Sequence, residues 1–170
     1  MERDVNSLRE TEIFKNLSPA QIDNVLNICH VVHFSAQEVI MQEGEVGDCM
    51  YIIKQGTVEV IKKLVMDRLG DEASDRNKIF TRLHAVQHHV FGEIALLEES
   101  KRTATVRAVT DCTLYEIRKT VFLNLMEADY AFGYRIILNL ARIVATRLRK
   151  ADEDTIKLTT VLSMILKETG

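Results

Sequence analysis

The spacing of apolar positions changes twice along the chain. In "LSPAQIDNVLNIC", Ile22, Val25, Leu26 and Cys29 recur at helical intervals, which predicts a helix with one apolar face. Ser18 is a candidate N-cap, and Pro19 falls at the first helical position, where a missing N–H costs nothing. From about residue 31 to 117 the period shortens. "VVHFSAQEVIMQEGEVGDCMYIIKQGTVEVIKK" is a series of short β-branched runs broken by Gly44, Gly47 and Gly56, the pattern of several strands in a sandwich or barrel. "IIKQGTVEV" predicts two strands about a turn at Gly56, where the absence of a Cβ permits positive φ. "TATVRAV" and "CTLYEIR" predict two more, joined around Thr110 and Asp111. The polar stretch "DRLGDEASDRNK" between these pairs predicts a surface excursion. The helical period then returns. Ile137, Leu140, Ala141, Val144 and Leu148 form one apolar stripe, and Leu158, Val161, Leu162 and Ile165 form another after the acidic break "ADEDT".

The predicted plan is mainly β with flanking α: an N-terminal helical segment (1–30), a small β-barrel core (31–119) and C-terminal helices (120–170). Composition agrees with one soluble domain. The 170 residues are 46% hydrophobic and 28% charged, enough to bury a core without staples. A net charge of −3 argues against gripping nucleic acid by bulk charge. The three cysteines, Cys29, Cys49 and Cys112, are odd in number and far apart, which predicts buried thiols in a reducing compartment. "MERDVNSLRETEIF" lacks the apolar run of a signal peptide, and no segment approaches membrane-span length. The expected location is the cytoplasm.

Candidate chemistry concentrates in "FGEIALLEESKRTATVRA", residues 91–108. Gly92 lets the chain turn into a short helix, which Ile94 and Leu97 are expected to hold against the barrel. A helix start presents backbone N–H groups suited to an anion. Arg102 adds a planar, permanently charged donor fork matched to phosphate, and the small neighbours Thr103 and Ala104 allow close backbone approach. Glu93 only accepts hydrogen bonds, so its natural ligand partner is a hydroxyl. Phosphate at one end and hydroxyl at the other describe a sugar phosphate. The bland alternative is that Glu93 and Arg102 pair with each other and brace the turn.

"FGEIALL", followed by four residues and "RTATVRA", resembles the phosphate-binding cassette of cyclic nucleotide-binding domains. "EVIMQEGEVGDCMYIIKQGTVEV" is similar to that family's glycine-punctuated strands, and "AVTDCTLYEIRKTVFLNLM" to its exit strand and following helix. The likeness runs from about Ile13 to Lys150. It implies a jelly-roll-like, double-stranded β-helix barrel with N-terminal helices, a cassette helix and a long C-terminal helix. It also implies that Glu93 accepts the ribose 2′-hydroxyl and that Arg102 pairs with the cyclic phosphate. Backbone groups at Gly92, Ile94, Ala95, Thr103 and Ala104 would complete the cradle. Thr103 and Asp152 are the candidates for base contact, and cAMP is the expected ligand, with cGMP the alternative. "HAVQHHV" replaces a glycine usual before the cassette, while Glu99 and Lys101 stand where Gly and Pro are common. Ala151, beside Asp152, cannot donate to a base.

Other chemistry is weakly signalled. His84, His88 and His89, or Cys29 with His33, lack the repeated spacing of a metal site, so no metal and no cofactor are expected. No GxSxG, HExxH or Walker loop is present, and the chain is not expected to be an enzyme. The basic run Arg142, Arg147, Arg149 and Lys150 suits a solvated helix end. DNA binding would need a further module, so none is expected of this chain alone, nor is membrane binding. The stripe over 137–148 can pack back on the barrel or against a second copy, and the resemblance implies the latter, a homodimer through the helix at 120–150. The second stripe suits a lid, a dimer extension or a docking face, and 152–170 is expected to report to an unidentified protein partner. Ligand entry is expected to draw in the short cassette helix and close the long helix over the base. The rival class is a scaffold that kept the fold and lost the ligand.

Overall fold

A computed structural model describes residues 8–64, 76–84, 90–97 and 101–168. A 3₁₀ turn at Glu12–Phe14 leads into α1, Pro19–Ile28. The Ser18 hydroxyl accepts from the Gln21 N–H while the Gln21 side chain accepts from the Ser18 N–H, so α1 starts with the expected cap in reciprocal form. Eight strands follow among the described residues: β1 His30–Phe34, β2 Val39–Met41, β3 Cys49–Gln55, β4 Thr57–Leu64, β5 Arg76–His84, β6 Val90–Phe91, β7 Thr105–Ala108 and β8 Cys112–Arg118. The short helix α2, Ile94–Leu97, lies between β6 and β7, and α3, Lys119–Ala128, and α4, Tyr130–Glu168, complete the order.

The strands form two antiparallel sheets, β1-β8-β3-β6 and β2-β7-β4-β5. No ladder among the described residues joins them, so the architecture is two layers and not the closed barrel expected. The residues around Gly56 form two strands and a turn, as their pattern predicts, and Gly56 has φ 97°. The strands do not pair with each other, however. β3 belongs to one sheet and β4 to the other, so Gly56 is a corner between layers. The same holds for β7 and β8 on either side of Thr110 and Asp111. The excursion read over 67–78 is corrected at its end: Arg76, Asn77 and Lys78 open strand β5, paired to β4. Its earlier part lies outside the described residues, as do His88 and His89.

Alternation along the strands divides the core into two clusters. Cys49, Tyr51 and Ile53 of β3, with Cys112 and Leu114 of β8, pack between the sheets. Met50 and Ile52, with Tyr115 and Ile117, face the opposite way, against helices. The helical side supplies Phe14, Ile22, Val25, Phe122, Phe132, Ile136 and Leu140. The central strands of this sheet are thus buried on both faces.

One helix replaces the two C-terminal segments expected. α4 runs unbroken through "ADEDT", a length of about 58 Å. Its predicted stripe also divides: Leu140 joins the core, whereas Ile137, Val144 and Leu148 are exposed. Buried Asn139 donates from Nδ2 to the carbonyls of Ile13 (3.0 Å) and Lys15 (2.9 Å), fastening α4 to the N-terminal turn.

Asp129 sets the start of α4. Its carboxylate accepts from the Gln21 amide (2.9 Å) and from the Phe132 N–H (3.0 Å), and these bonds hold its pKa below the ordinary 3.8. A depressed carboxylate stabilises the fold above its unfolded pKa and ceases to do so as pH falls through its folded pKa. Asp129→Ala is therefore expected to melt at lower temperature than the wild type at neutral pH. In thermal melts over a pH series, the two curves should converge well below pH 3.8.

Candidate functional site

The turn at Gly92, with φ 76°, follows strand β6, whose Phe91 stacks on Tyr51 at 5.3 Å between ring centroids. Two backbone bonds tighten the entry to α2, Ala95 N–H to Gly92 O (3.2 Å) and Leu96 N–H to Glu93 O (3.0 Å). The Ala95 N–H, one of the expected cradle donors, is thus directed at Gly92. Ala95 and Leu96 anchor the helix in the core. Leu97, expected in that role, is 47% exposed, which corrects the assignment by one position on the turn.

Arg102 enters from the other limb of the cassette and is buried. Its Nη2 donates to Cys49 O (2.8 Å) and meets Cys49 Sγ (3.4 Å), while Nη1 donates to Gly92 O (3.2 Å). The guanidinium therefore spans the end of β3 and the Gly92 turn. Burial pushes the Cys49 thiol above its ordinary pKa, against the opposing influence of Tyr51 and Arg102, so a neutral thiol sits beside the cation. Burial likewise raises the pKa of Tyr51, whose hydroxyl contacts Cys49 Sγ and Glu116. The loop before β3 clamps the same limb: Arg102 N–H donates to Glu45 O (2.7 Å), and Gly44 N–H to Arg102 O (2.9 Å).

Gly47 is a contributor that pattern reading did not single out. A Cβ there would overlap the Arg102 guanidinium. Its position among three glycines in a strand-rich stretch was visible, but its partner was not. Gly47→Ala is expected to displace the guanidinium from its carbonyls and to cost about 1–3 kcal/mol through overpacking. Urea denaturation of the two proteins measures this directly.

Glu93 is buried, and its Oε1 accepts from Nη1 of Arg147, on α4. Arg102 and Glu93 therefore do not brace the turn by pairing with each other: one is held by backbone carbonyls and the other by the long helix. The sequence pattern predicts Arg147 only as part of a solvated basic face, and its link to Glu93 depends on how α4 crosses the cassette. Around the pair, Ala104 is buried and Thr103 exposed. Ile94 is half-buried. Asp152 is exposed on α4, and no hydrogen bond or ion pair among the described residues ties it to the cassette. Among the described residues, no three His, Cys, Asp or Glu side chains gather as a metal site. His33 instead contacts the Thr113 hydroxyl at 3.2 Å.

The arrangement offers a buried acceptor and a buried donor fork on the two limbs of one glycine-turned loop. A model of the cyclic nucleotide-binding domain matches residues 31–129. The chain belongs to the cyclic nucleotide-binding domain family. Among relatives, a cGMP-dependent protein kinase of Drosophila melanogaster is 30% identical over 120 residues, covering 71% of this chain and 10% of its own length. A cAMP-dependent protein kinase regulatory subunit of Blastocladiella emersonii is 31% identical over 119 residues, 70% of this chain and 27% of its own. The chain thus spans only a small part of these relatives. The Thermus thermophilus catabolite activator protein shares the fold, with TM-score 0.74 and 24% identity over 88% of this chain and 63% of that one. The structure "cAMP bound PfPKA-R (141-441)" matches with TM-score 0.62 and 29% identity, over 73% and 40%. This cyclic nucleotide-binding domain has no described helix long and apolar enough to cross a membrane.

Proposed function

We propose that this cyclic nucleotide-binding domain is a regulatory sensor that takes cAMP, with cGMP as the competing ligand. The carrying observation is the pair of buried, oppositely charged groups in the cassette, Glu93 and Arg102, each held in place by other partners. In this reading Glu93 accepts the ribose 2′-hydroxyl, and Arg102 presents its fork to the cyclic phosphate. Backbone groups of Gly92, Ile94, Ala95, Thr103 and Ala104 line the phosphate, and the Ala95 N–H must leave Gly92 to join them. Thr103 and Asp152 are the candidates for the base. Asp152 would need α4 to shift towards the cassette. The cAMP-dependent regulatory relative and the cAMP-bound structure support cAMP, while the cGMP-dependent kinase relative keeps cGMP as the competitor.

No catalytic step is assigned, since the family is a regulatory module. Ligand in the cassette favours whichever placement of α2 and α4 it binds more tightly, and that difference drives the response. The reading includes a jelly-roll winding of the two sheets. It keeps the division into an N-terminal segment (1–30), a binding core (31–119) and a helical output (120–170). It further includes a cytoplasmic setting, a homodimer through the C-terminal helix and an unidentified protein partner for the helix end. The scaffold alternative is disfavoured because Glu93 and Arg102 are both present and buried.

Calorimetric titration with cAMP and cGMP tests the reading. Saturable heat with a preference for cAMP supports it. A preference for cGMP keeps the sensor and reverses the base. No heat and no thermal shift with either nucleotide would leave the scaffold reading in its place.

A further inference from the structure

Tyr51 stands between the two limbs of the cassette. On β3 it shares a face with Cys49, and in the sheet it lies directly opposite Phe91 of β6 and Glu116 of β8, so one row runs Phe91, Tyr51, Glu116. Its ring stacks on Phe91 at 5.3 Å and meets Phe34 edge to face at 6.3 Å. Phe91 leads straight into Gly92 and Glu93, the limb assigned to the ribose. The Tyr51 hydroxyl serves the other limb. Arg102 Nη2 donates to Cys49 Sγ (3.4 Å), the Cys49 thiol donates to the Tyr51 oxygen (3.4 Å), and the Tyr51 hydroxyl donates to Glu116 Oε2 (3.3 Å). Three donors thus point one way, from a buried cation to a carboxylate whose side chain is 19% exposed.

A thiol and a phenol can each donate and accept, so something must set their direction. The Glu116 carboxylate only accepts. It takes the phenol proton, which leaves the phenol oxygen for the thiol and the sulfur for the guanidinium, and each bond polarises the next. Burial raises the pKa of both middle groups, which keeps both protons in place at neutral pH. The other Arg102 contacts are to the backbone carbonyls of Cys49 and Gly92. Among the described residues, Cys49 is the one side chain that hydrogen-bonds to the guanidinium. We infer that Tyr51 is a positioning residue for the nucleotide: its ring holds the Glu93 limb, its hydroxyl holds the Arg102 fork through Cys49, and Glu116 sets the direction of the chain. This rests on the nucleotide reading above and adds to it two residues outside the cassette.

Calorimetric titration of the full chain with cAMP tests the inference. Tyr51→Phe keeps the ring and removes the hydroxyl, and its affinity for cAMP should fall about fivefold, the order of one neutral hydrogen bond. Glu116→Leu should lose a similar factor, whereas Glu116→Gln, whose amide oxygen still accepts, should stay near the wild type. Tyr51→Phe combined with Glu116→Leu should lose no more than either alone, because both break one chain. 2′-Deoxy-cAMP lacks the hydroxyl assigned to Glu93. The ratio of its affinity to that of cAMP should be the same in Tyr51→Phe as in the wild type, since only the phosphate limb is disturbed. Thermal melts confirm that each variant is folded. An undiminished affinity in Tyr51→Phe, additive losses in the double variant, a changed 2′-deoxy ratio, or a Glu116→Gln as weak as Glu116→Leu would each overturn the inference. The Arg102 Nε–H proton, identified in nitrogen-15 spectra by its loss in Arg102→Lys, reads the guanidinium without nucleotide. Tyr51→Phe should shift it and speed its exchange with water. If no nucleotide binds the wild type, the sensor reading fails by itself, and an Arg102 signal unchanged in Tyr51→Phe still overturns the positioning.

Discussion

Arg102→Ala is expected to weaken cyclic nucleotide binding at least about a hundredfold, since a charge-assisted, two-pronged contact to phosphate contributes about 3 kcal/mol. Arg102→Lys should recover little of it. Lysine keeps the charge but places a single point donor where a planar fork spans Cys49 O and Gly92 O. The alanine variant should also be less stable without ligand, by about 1–3 kcal/mol, because those two carbonyls lose a buried donor. Calorimetry with nucleotide and urea melts without it separate the two effects. A ligand affinity unchanged in Arg102→Ala would remove the phosphate from this end of the cassette.

The largest stability loss is expected at Phe132. Its ring meets Phe122 edge to face at 5.8 Å, and Phe122 meets Phe14 at 6.4 Å, so three aromatic rings join α4, α3 and the N-terminal turn. Phe132 is 1% exposed, and Phe132→Ala should cost about 3–5 kcal/mol by lost transfer energy and the cavity left behind. Leu148→Ala, on the exposed face of the same helix, should change monomer stability little. Equilibrium denaturation at low protein concentration makes the comparison. The consequence for function is directional: α4 is anchored at Phe132, Ile136 and Leu140, and it meets the cassette farther along, at Arg147.

Features that depend on local chemistry were legible in the sequence. Ser18 and Pro19 announced α1, Gly56 announced a reversal, and the residues from Gly92 to Ala104 announced a cassette. Which strands pair was not, because alternation gives a strand its faces and says nothing about its neighbour. The residues on either side of Gly56 have hairpin-like spacing, yet the corner sends them to separate sheets. β5 was missed because "RNKIFTRLH" opens with charged and polar residues that resemble a loop more than a strand. "ADEDT" resembled a break because acids there are polar all round, but none of its residues stops a helix, and α4 passes through it. In the site, Glu93 and Arg102 were found from residue type and context. Arg147 lies far along the chain, and only the crossing of α4 over the cassette shows that it belongs with them.

The pairing of β1 with β8, residue His30 against Glu116, sets the order in which the chain can acquire structure during synthesis. Among the described residues, the neighbour of β1 in the sheet is β8, which lies about eighty residues farther along the chain and leaves the ribosome that much later. The central strand β3 can meet β6 earlier, but its longer ladder waits for β8 as well. The sheet β1-β8-β3-β6 is therefore completed late, after its other three strands have emerged. Such long-range closure is slow, and the apolar faces of β3 stay uncovered for that interval. A nascent chain stalled before Cys112 would present them to other proteins, so binding of holding chaperones should fall sharply once Arg118 has cleared the exit tunnel.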